Sequence, residues 1–196
     1  LKEMTEKIKQ LIFFRNKYDF NQISHTYKQE LIKNAFSGKF TNEYRIKNKI
    51  TKKDIINSLK KILPEKIDVI LEHDEILRLK IKNSIPNEWL LVNLEDICDI
   101  QMGQSPPGSS YSKTSGIPLL NGPTEFTDMY PIEKQFTTNP TKICQKNDLL
   151  ICVRGSTTGR MNWADKPYCI GRGLASISPQ KDIIDTNLLF YFLDYK

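Results

Sequence analysis

Between Asp148 and Arg160 the chain reads DLLICVRGSTTGR, its densest run of side chains able to do chemistry. Arg154 and Arg160 bracket the turn Gly155-Ser156-Thr157-Thr158-Gly159, which carries three hydroxyls and two glycines. Arginine forks clamp phosphate or read guanine O6 and N7, while hydroxyls and backbone N–H groups donate to anions. The offered chemistry is binding of something anionic. The apolar run Leu149–Val153 ahead of the turn suits a buried strand. Two glycines in five residues suit a tight turn with a close backbone approach.

Further candidates lie elsewhere. Arg172 follows Cys169-Ile170-Gly171, and Gln104 opens the loop QSPPGSSY, which ends at Tyr111 with Lys113 just beyond. Glutamine can read adenine, and tyrosine and lysine can reach a nucleic-acid backbone. Pro106-Pro107-Gly108 equally suits a rigid connector, and Asn121 beside Gly122 equally suits a turn. Trp89 and Trp163 read as core residues rather than base-stacking platforms.

No catalytic set accompanies these residues. Gly155–Arg160 lacks phosphate-loop spacing and ends in arginine where that loop has lysine. His25 and His73 are far apart in sequence and read as surface residues. There is no NPPY- or DPPY-type methylase motif, and no second acid with a Glu-x-Lys follows Asp148. Cys98, Cys144, Cys152 and Cys169 form no CxxC and have no nearby histidine, so they read as buried or free thiols of a cytosolic protein. Neither a metal nor a cofactor is expected.

Charge is unevenly placed. Residues 1–84 hold 19 Lys/Arg against 11 Asp/Glu, whereas residues 85–196 hold 10 against 12. Inside the second part, residues 91–135 hold 2 basic and 6 acidic side chains, while residues 141–172 hold 6 basic and 2 acidic. The candidate loop sits in the locally basic part of an otherwise acidic domain, as a DNA-facing surface would. In the N-terminal part, the lysines equally suit a solvated helix face.

The elements that must position these residues fall into three stretches. Leu1, Met4, Ile8, Leu11, Arg15 and Tyr18 recur every three or four residues, and Phe20, Ile23, Tyr27, Leu31 and Ala35 continue the stripe. This predicts one helix of some 36 residues ending at Ser37-Gly38-Lys39, about 54 Å long at 1.5 Å per residue. Such a rod needs a partner helix, from this chain or another copy. Residues 41–84 read as a linker: Thr51-Lys52-Lys53-Asp54 caps a short helix that Pro64 ends. Ile67, Val69, Leu71, Leu77, Leu79 and Ile81 then alternate, either as a hairpin turning at His73-Asp74 or as a second helix. From residue 85 strands are expected at Trp89–Leu94, Ile117–Leu120, Leu149–Val153, Met161–Trp163 and Leu174–Ile177, before a helix capped by Asp185 or Thr186. The fold class is α+β: a long coiled-coil-type helix (1–40), a linker (41–84) and a strand-rich mixed domain (85–196).

Four blocks carry a family resemblance in consistent order. They are Lys28–Thr41 at the end of the helix, Ile85-Pro86-Asn87-Glu88-Trp89 to Gln101–Pro106, Gly116–Gly122, and Cys169-Ile170-Gly171-Arg172-Gly173 to Pro179. With the glycine turn, these blocks resemble the specificity (S) subunits of type I restriction–modification enzymes. The resemblance implies a conserved spacer helix followed by part of a target recognition domain, in a piece of something longer. It also implies a non-catalytic module that reads one half of a bipartite site in duplex DNA. Methyltransferase subunits would dock on it, and a restriction subunit would join through them. Two other readings stay open on the residues alone. One is a protein that dimerises through its long helix; the other is an enzyme domain that holds a phosphate ligand in the glycine loop.

Overall fold

A computed structural model of the chain describes residues 20–81, 85–180 and 182–195. The chain divides into two units: residues 1–50 with 84–87 and 195, and residues 51–83 with 88–194 and 196. The predicted helical stripe before Phe20 lies outside the described residues.

In the first unit, helix α1 (Phe20–Phe36) ends at the predicted glycine. Gly38 takes φ +78°, and the amides of Gly38 and Lys39 donate to Ala35 O and Asn34 O at 3.0 Å each. That left-handed cap satisfies carbonyls the helix leaves free. Arg45, on the one-and-a-half-turn helix α2 (Asn42–Lys47), is buried and donates to Gly38 O at 2.8 Å, folding the chain back on the cap. Tyr27 and Leu31, four residues apart on α1, stand exposed at 64% and 39%, an apolar pair left open to a partner.

The second unit begins at a capping box. Thr51 Oγ1 accepts from the Asp54 amide and the Thr51 amide donates to Asp54 Oδ2, starting helix α3 (Lys52–Ile62). The alternating segment after Pro64 is no hairpin: Ile67–Lys80 forms a single helix, α4. Its buried face is Ile67, Ile70 and Asp74, at helical spacing. A carboxylate at the centre of that face hid the helical stripe and left the accidental alternation visible.

Asp74 is 1% exposed and joins α4 to the segment that follows. Its Oδ1 accepts from the Leu91 amide at 2.7 Å, Arg78 Nε donates at 3.1 Å, and Lys52 Nζ binds Oδ2. Arg78 also donates to Trp89 O. Burial works to raise the Asp74 pKa, but the hydrogen bonds from Lys52, Leu91 and Arg78 outweigh it and hold the carboxyl below its ordinary value. The strand expected at Trp89–Leu94 does not form. There the Trp89 carbonyl and Leu91 amide pair with helix side chains instead of a neighbouring strand. Asn93 instead caps the short helix α5 (Leu94–Ile97) in a capping box with Asp96. His73, read as a surface residue, is half-buried, and its Nδ1 lies 2.9 Å from Asp96 Oδ2.

Among the described residues, nine strands follow in two sheets: β1 (Cys98–Met102), β2 (Tyr111–Ser112), β3 (Ile117–Leu120), β4 (Phe136–Thr137), β5 (Ile143–Cys144), β6 (Leu149–Cys152), β7 (Met161–Trp163), β8 (Tyr168–Ile170) and β9 (Leu174–Pro179). One sheet has the order β1-β9-β6-β7 and is antiparallel; the other has the order β2-β4-β3-β8-β5, with β3 and β8 parallel. A core of Leu120, Phe126, Cys144, Leu150, Cys152, Ala164, Tyr168, Ile170 and Leu174 draws on both sheets. A second cluster, Cys98, Leu149, Ile177 and Leu189, packs helix α6 (Thr186–Tyr195) onto the four-stranded sheet. Alternate residues of β6 therefore enter different cores, which explains its unbroken apolar sequence. Asp185 Oδ1 accepts from the amides of Asn187 (2.9 Å) and Leu188 (3.1 Å), the expected cap of α6. Trp163 is half-buried and stacks on Phe190 at 5.5 Å.

Candidate nucleic-acid interface

β6 is an interior strand and ends where the glycine loop begins. Mutual bonds close the loop: Cys152 N donates to Arg160 O at 2.8 Å and Gly159 N to Cys152 O at 2.9 Å. Inside it, Gly155–Thr157 make one turn of 3-10 helix. Gly155 and Gly159 take φ +77° and +92°, a region L side chains avoid. No close approach accompanies them, contrary to expectation: a Cβ at either would meet nothing within 4 Å. These glycines serve the turn's backbone conformation only.

Internal bonds use two of the three hydroxyls. Thr158 Oγ1 donates to Gly155 O at 2.7 Å, and Thr157 Oγ1 lies 3.4 Å from Cys152 Sγ. Ser156 is exposed, and so is Arg154. Arg160 is exposed as a residue, yet its guanidinium donates to Pro123 O (3.3 Å) and Phe126 O (2.9 Å).

Three other loops meet this one at the same end of the sheets. They are Gly103–Ser105 after β1, Asn121–Phe126 after β3, and Gly171–Gly173 between β8 and β9. Val153 N donates to Gly173 O and Gly103 N to Leu174 O, both at 2.9 Å. Gln104 N donates to Ile170 O at 2.9 Å, and Gly171 N to Leu120 O at 2.8 Å. Arg172 N reaches Ser105 Oγ at 3.4 Å. Close approach occurs here rather than in the glycine turn. A Cβ on Gly103 would lie 2.2 Å from Gly171 O, and one on Gly173 would lie 3.0 Å from Asn121 O. Sequence reasoning missed Gly103 and Gly173 as packing glycines. The signal was the Gly-Arg-Gly run at 171–173, which places Arg172 on a turn with no room for larger neighbours.

The cluster thus gathers Gln104, Asn121, Arg154, Arg160 and Arg172, which are distant in sequence, and all five are exposed. Asn121 Nδ2 donates to Gln135 Oε1 at 2.9 Å. Tyr111 and Lys113 are placed apart, on the edge strand β2 and the turn after it. The proline loop before them is tied down by the buried Ser110, whose Oγ lies 2.6 Å from Pro107 O and 2.8 Å from Thr137 Oγ1.

The cluster has binding chemistry without an activated nucleophile. The four cysteines are free and buried, and burial pushes the Cys144 thiol up to about 12. Burial, with Asp99 nearby, pushes Cys98 up to about 11, so both stay protonated and unreactive at neutral pH. Asp148 is a turn-closing residue, accepting from Ser178 Oγ (2.6 Å) and the Gln145 amide (2.7 Å). Among the described residues, no group of three His, Cys, Asp or Glu could hold a metal ion, and no helix is long and apolar enough to cross a membrane.

Residues 86–196, over half of the chain and all four loops, match the family model of the type I restriction modification DNA specificity domain. The chain belongs to this family. A protein of Methanocaldococcus jannaschii designated as the specificity subunit of type I restriction enzyme MjaX is 39% identical over 147 residues. That match covers 72% of this chain and 34% of the relative, so the chain spans about a third of its length. The solved HsdS subunit from Thermoanaerobacter tengcongensis is 29% identical with a TM-score of 0.55, covering 74% of this chain and 38% of that one. A chain from a structural study of type I restriction–modification complex assembly and conformational transition is 30% identical, with the same TM-score. It covers 77% of this chain and 40% of that one. The mixed helix-and-sheet architecture is that of the specificity family, in agreement with the α+β expectation.

Proposed function

We propose that this specificity-domain chain recognises a DNA sequence in duplex form and catalyses nothing itself. In this reading it works in the cytoplasm and directs methyltransferase subunits, with a restriction subunit joining through them. The observation that carries the reading is the convergence of four loops that presents Gln104, Arg154 and Arg172 to solvent beside Ser156. Arg154 and Arg172 supply forks for guanine or phosphate, Gln104 a reader of adenine, and Ser156, Thr157 and Thr158 hydroxyls for the backbone. Tyr111 and Lys113, on the edge strand β2 and the turn after it, would make flanking backbone contacts.

Duplex binding by the chain in complex with methyltransferase subunits, measured against salt concentration, tests this. Affinity is expected to fall as salt rises, and Arg154→Ala is expected to flatten the log–log slope by about 1 if Arg154 meets a phosphate. An Arg154→Ala variant that instead loses one base preference, at a cost of about 1–3 kcal/mol, identifies direct readout. Absence of binding in the complex overturns the proposal.

Helix α1 would dock a second helix through Tyr27 and Leu31, and the partner proposed is a second copy of the chain. Sedimentation of the isolated chain is expected to give a dimer that Leu31→Glu disperses, and a strict monomer counts against self-pairing.

A further inference from the structure

We propose that Arg160 is a positioning residue that couples the glycine loop to the Pro123–Phe126 turn, rather than a contact to nucleic acid. This rests on the DNA-reading proposal for the loop cluster and assigns the division of labour among its arginines.

Both ends of the coupling are anchored. On one side, the Arg160 backbone closes the glycine loop through Cys152 (2.8 Å) and Thr157 (3.0 Å). On the other, Phe126 is 5% exposed and belongs to the same core cluster as Cys152. The guanidinium spans the turn between them, each terminal nitrogen donating to one carbonyl, Nη1 to Pro123 O and Nη2 to Phe126 O. Each terminal nitrogen already spends an N–H on a carbonyl, one of these bonds partly buried, so a guanine fork would compete with the existing contacts.

The residues that follow continue the same task. Asn162, 1% exposed, holds Thr127 from both sides: Nδ2 donates to Thr127 O at 2.9 Å and Oδ1 accepts from Thr127 N at 3.2 Å. Trp163 N then donates to Met129 O at 2.8 Å. Arg160, Asn162 and Trp163 thus grip the 123–129 segment in turn, the first two by side chains and the third by its amide. Arg154 and Arg172 are exposed residues of their loops. Arg160 sets the spacing between two loops that must meet one DNA surface together.

The guanidinium reaches the two carbonyls from two nitrogens held in one plane, whereas a lysine at this position offers a single nitrogen on a flexible stem. A phosphate contact would need only charge. Arg160→Ala and Arg160→Lys therefore separate the roles. The first measurement is amide hydrogen exchange of residues 121–129 in the free chain. Both variants are expected to exchange faster than wild type there, with global melting little changed. Unaltered exchange in both variants overturns the coupling, whether or not the chain binds DNA.

The second measurement uses the chain with methyltransferase subunits and a duplex enriched from a randomised pool, set against a random-sequence duplex. Both variants are expected to lose roughly tenfold in discrimination between the duplexes while keeping the wild-type salt slope, so that lysine fails to rescue. If Arg160→Ala flattens the slope by about 1 and Arg160→Lys restores it, Arg160 is a phosphate contact and the positioning role falls. If wild type binds neither duplex, the DNA reading fails, and the exchange result alone decides the coupling.

Discussion

Gly103→Ala is expected to destabilise the second unit by about 3 kcal/mol and to pull two of the four loops out of place. A Cβ at this position would lie 2.2 Å from Gly171 O and 2.8 Å from both Ile170 O and Leu174 O. All three obstacles are backbone carbonyls, so no rotamer change relieves the clash. The end of β1 must move away from the β8–β9 turn. That movement breaks the bonds from Gly103 N to Leu174 O and from Gln104 N to Ile170 O. Overpacking costs about 1–3 kcal/mol and each lost hydrogen bond about 1 kcal/mol. A thermal midpoint lower by roughly 6–12 °C follows for a chain of this size. Gly108→Ala is the control, since a Cβ there meets nothing within 4 Å. A Gly103→Ala midpoint equal to that of the control would show that the loops yield without cost. Duplex binding should suffer beyond the loss of folded protein, because Gln104 and Arg172 are positioned through the same contact.

Asp74→Ala is expected to cost about 2–4 kcal/mol, read from the denaturant midpoint. The change leaves the Leu91 amide without its acceptor and removes the shared partner of Arg78 and Lys52. Loss of a buried pair's partner costs about 3–5 kcal/mol, and the lower range applies because Arg78 and Lys52 are partly exposed to water. The pH dependence has a definite sign. The folded state holds this carboxyl below its ordinary value of 3.8, so it favours the charged form. The contribution is complete above that value and disappears as pH falls through the depressed folded-state value. The stability difference between wild type and Asp74→Asn should therefore be constant near neutrality and shrink below about pH 4. A difference that grows on acidification would contradict the assignment.

The two residues illustrate what was legible and what was not. Caps and punctuation were legible because they are local: Gly38, Thr51 with Asp54, Pro64 and Asp185 all act within four residues of their own position. The β6 strand was legible because both its faces are buried, which requires uninterrupted apolar residues. Asp74 was illegible because two of its three partners are 17 and 22 residues away, and a charged residue on a buried face breaks the pattern that would reveal the helix. The Trp89–Leu94 segment misled for the complementary reason. Its side chains suit a strand, but a strand needs a neighbour, and here the neighbour is the polar edge of a helix.

The candidate site divides along the same line. By itself the sequence determined the tight glycine turn, the buried strand beneath it, the locally basic stretch and the family resemblance. Each of these depends on residue type and short spacing. Only the tertiary structure decided that Gln104, Asn121, Arg154 and Arg172 share one end of the sheets, because strand order is set by pairing between distant segments. It also separated the arginines: all three are exposed, and the Arg160 guanidinium grips carbonyls 34 and 37 residues away. An arginine's role follows from what already holds its guanidinium, and that is a property of the fold.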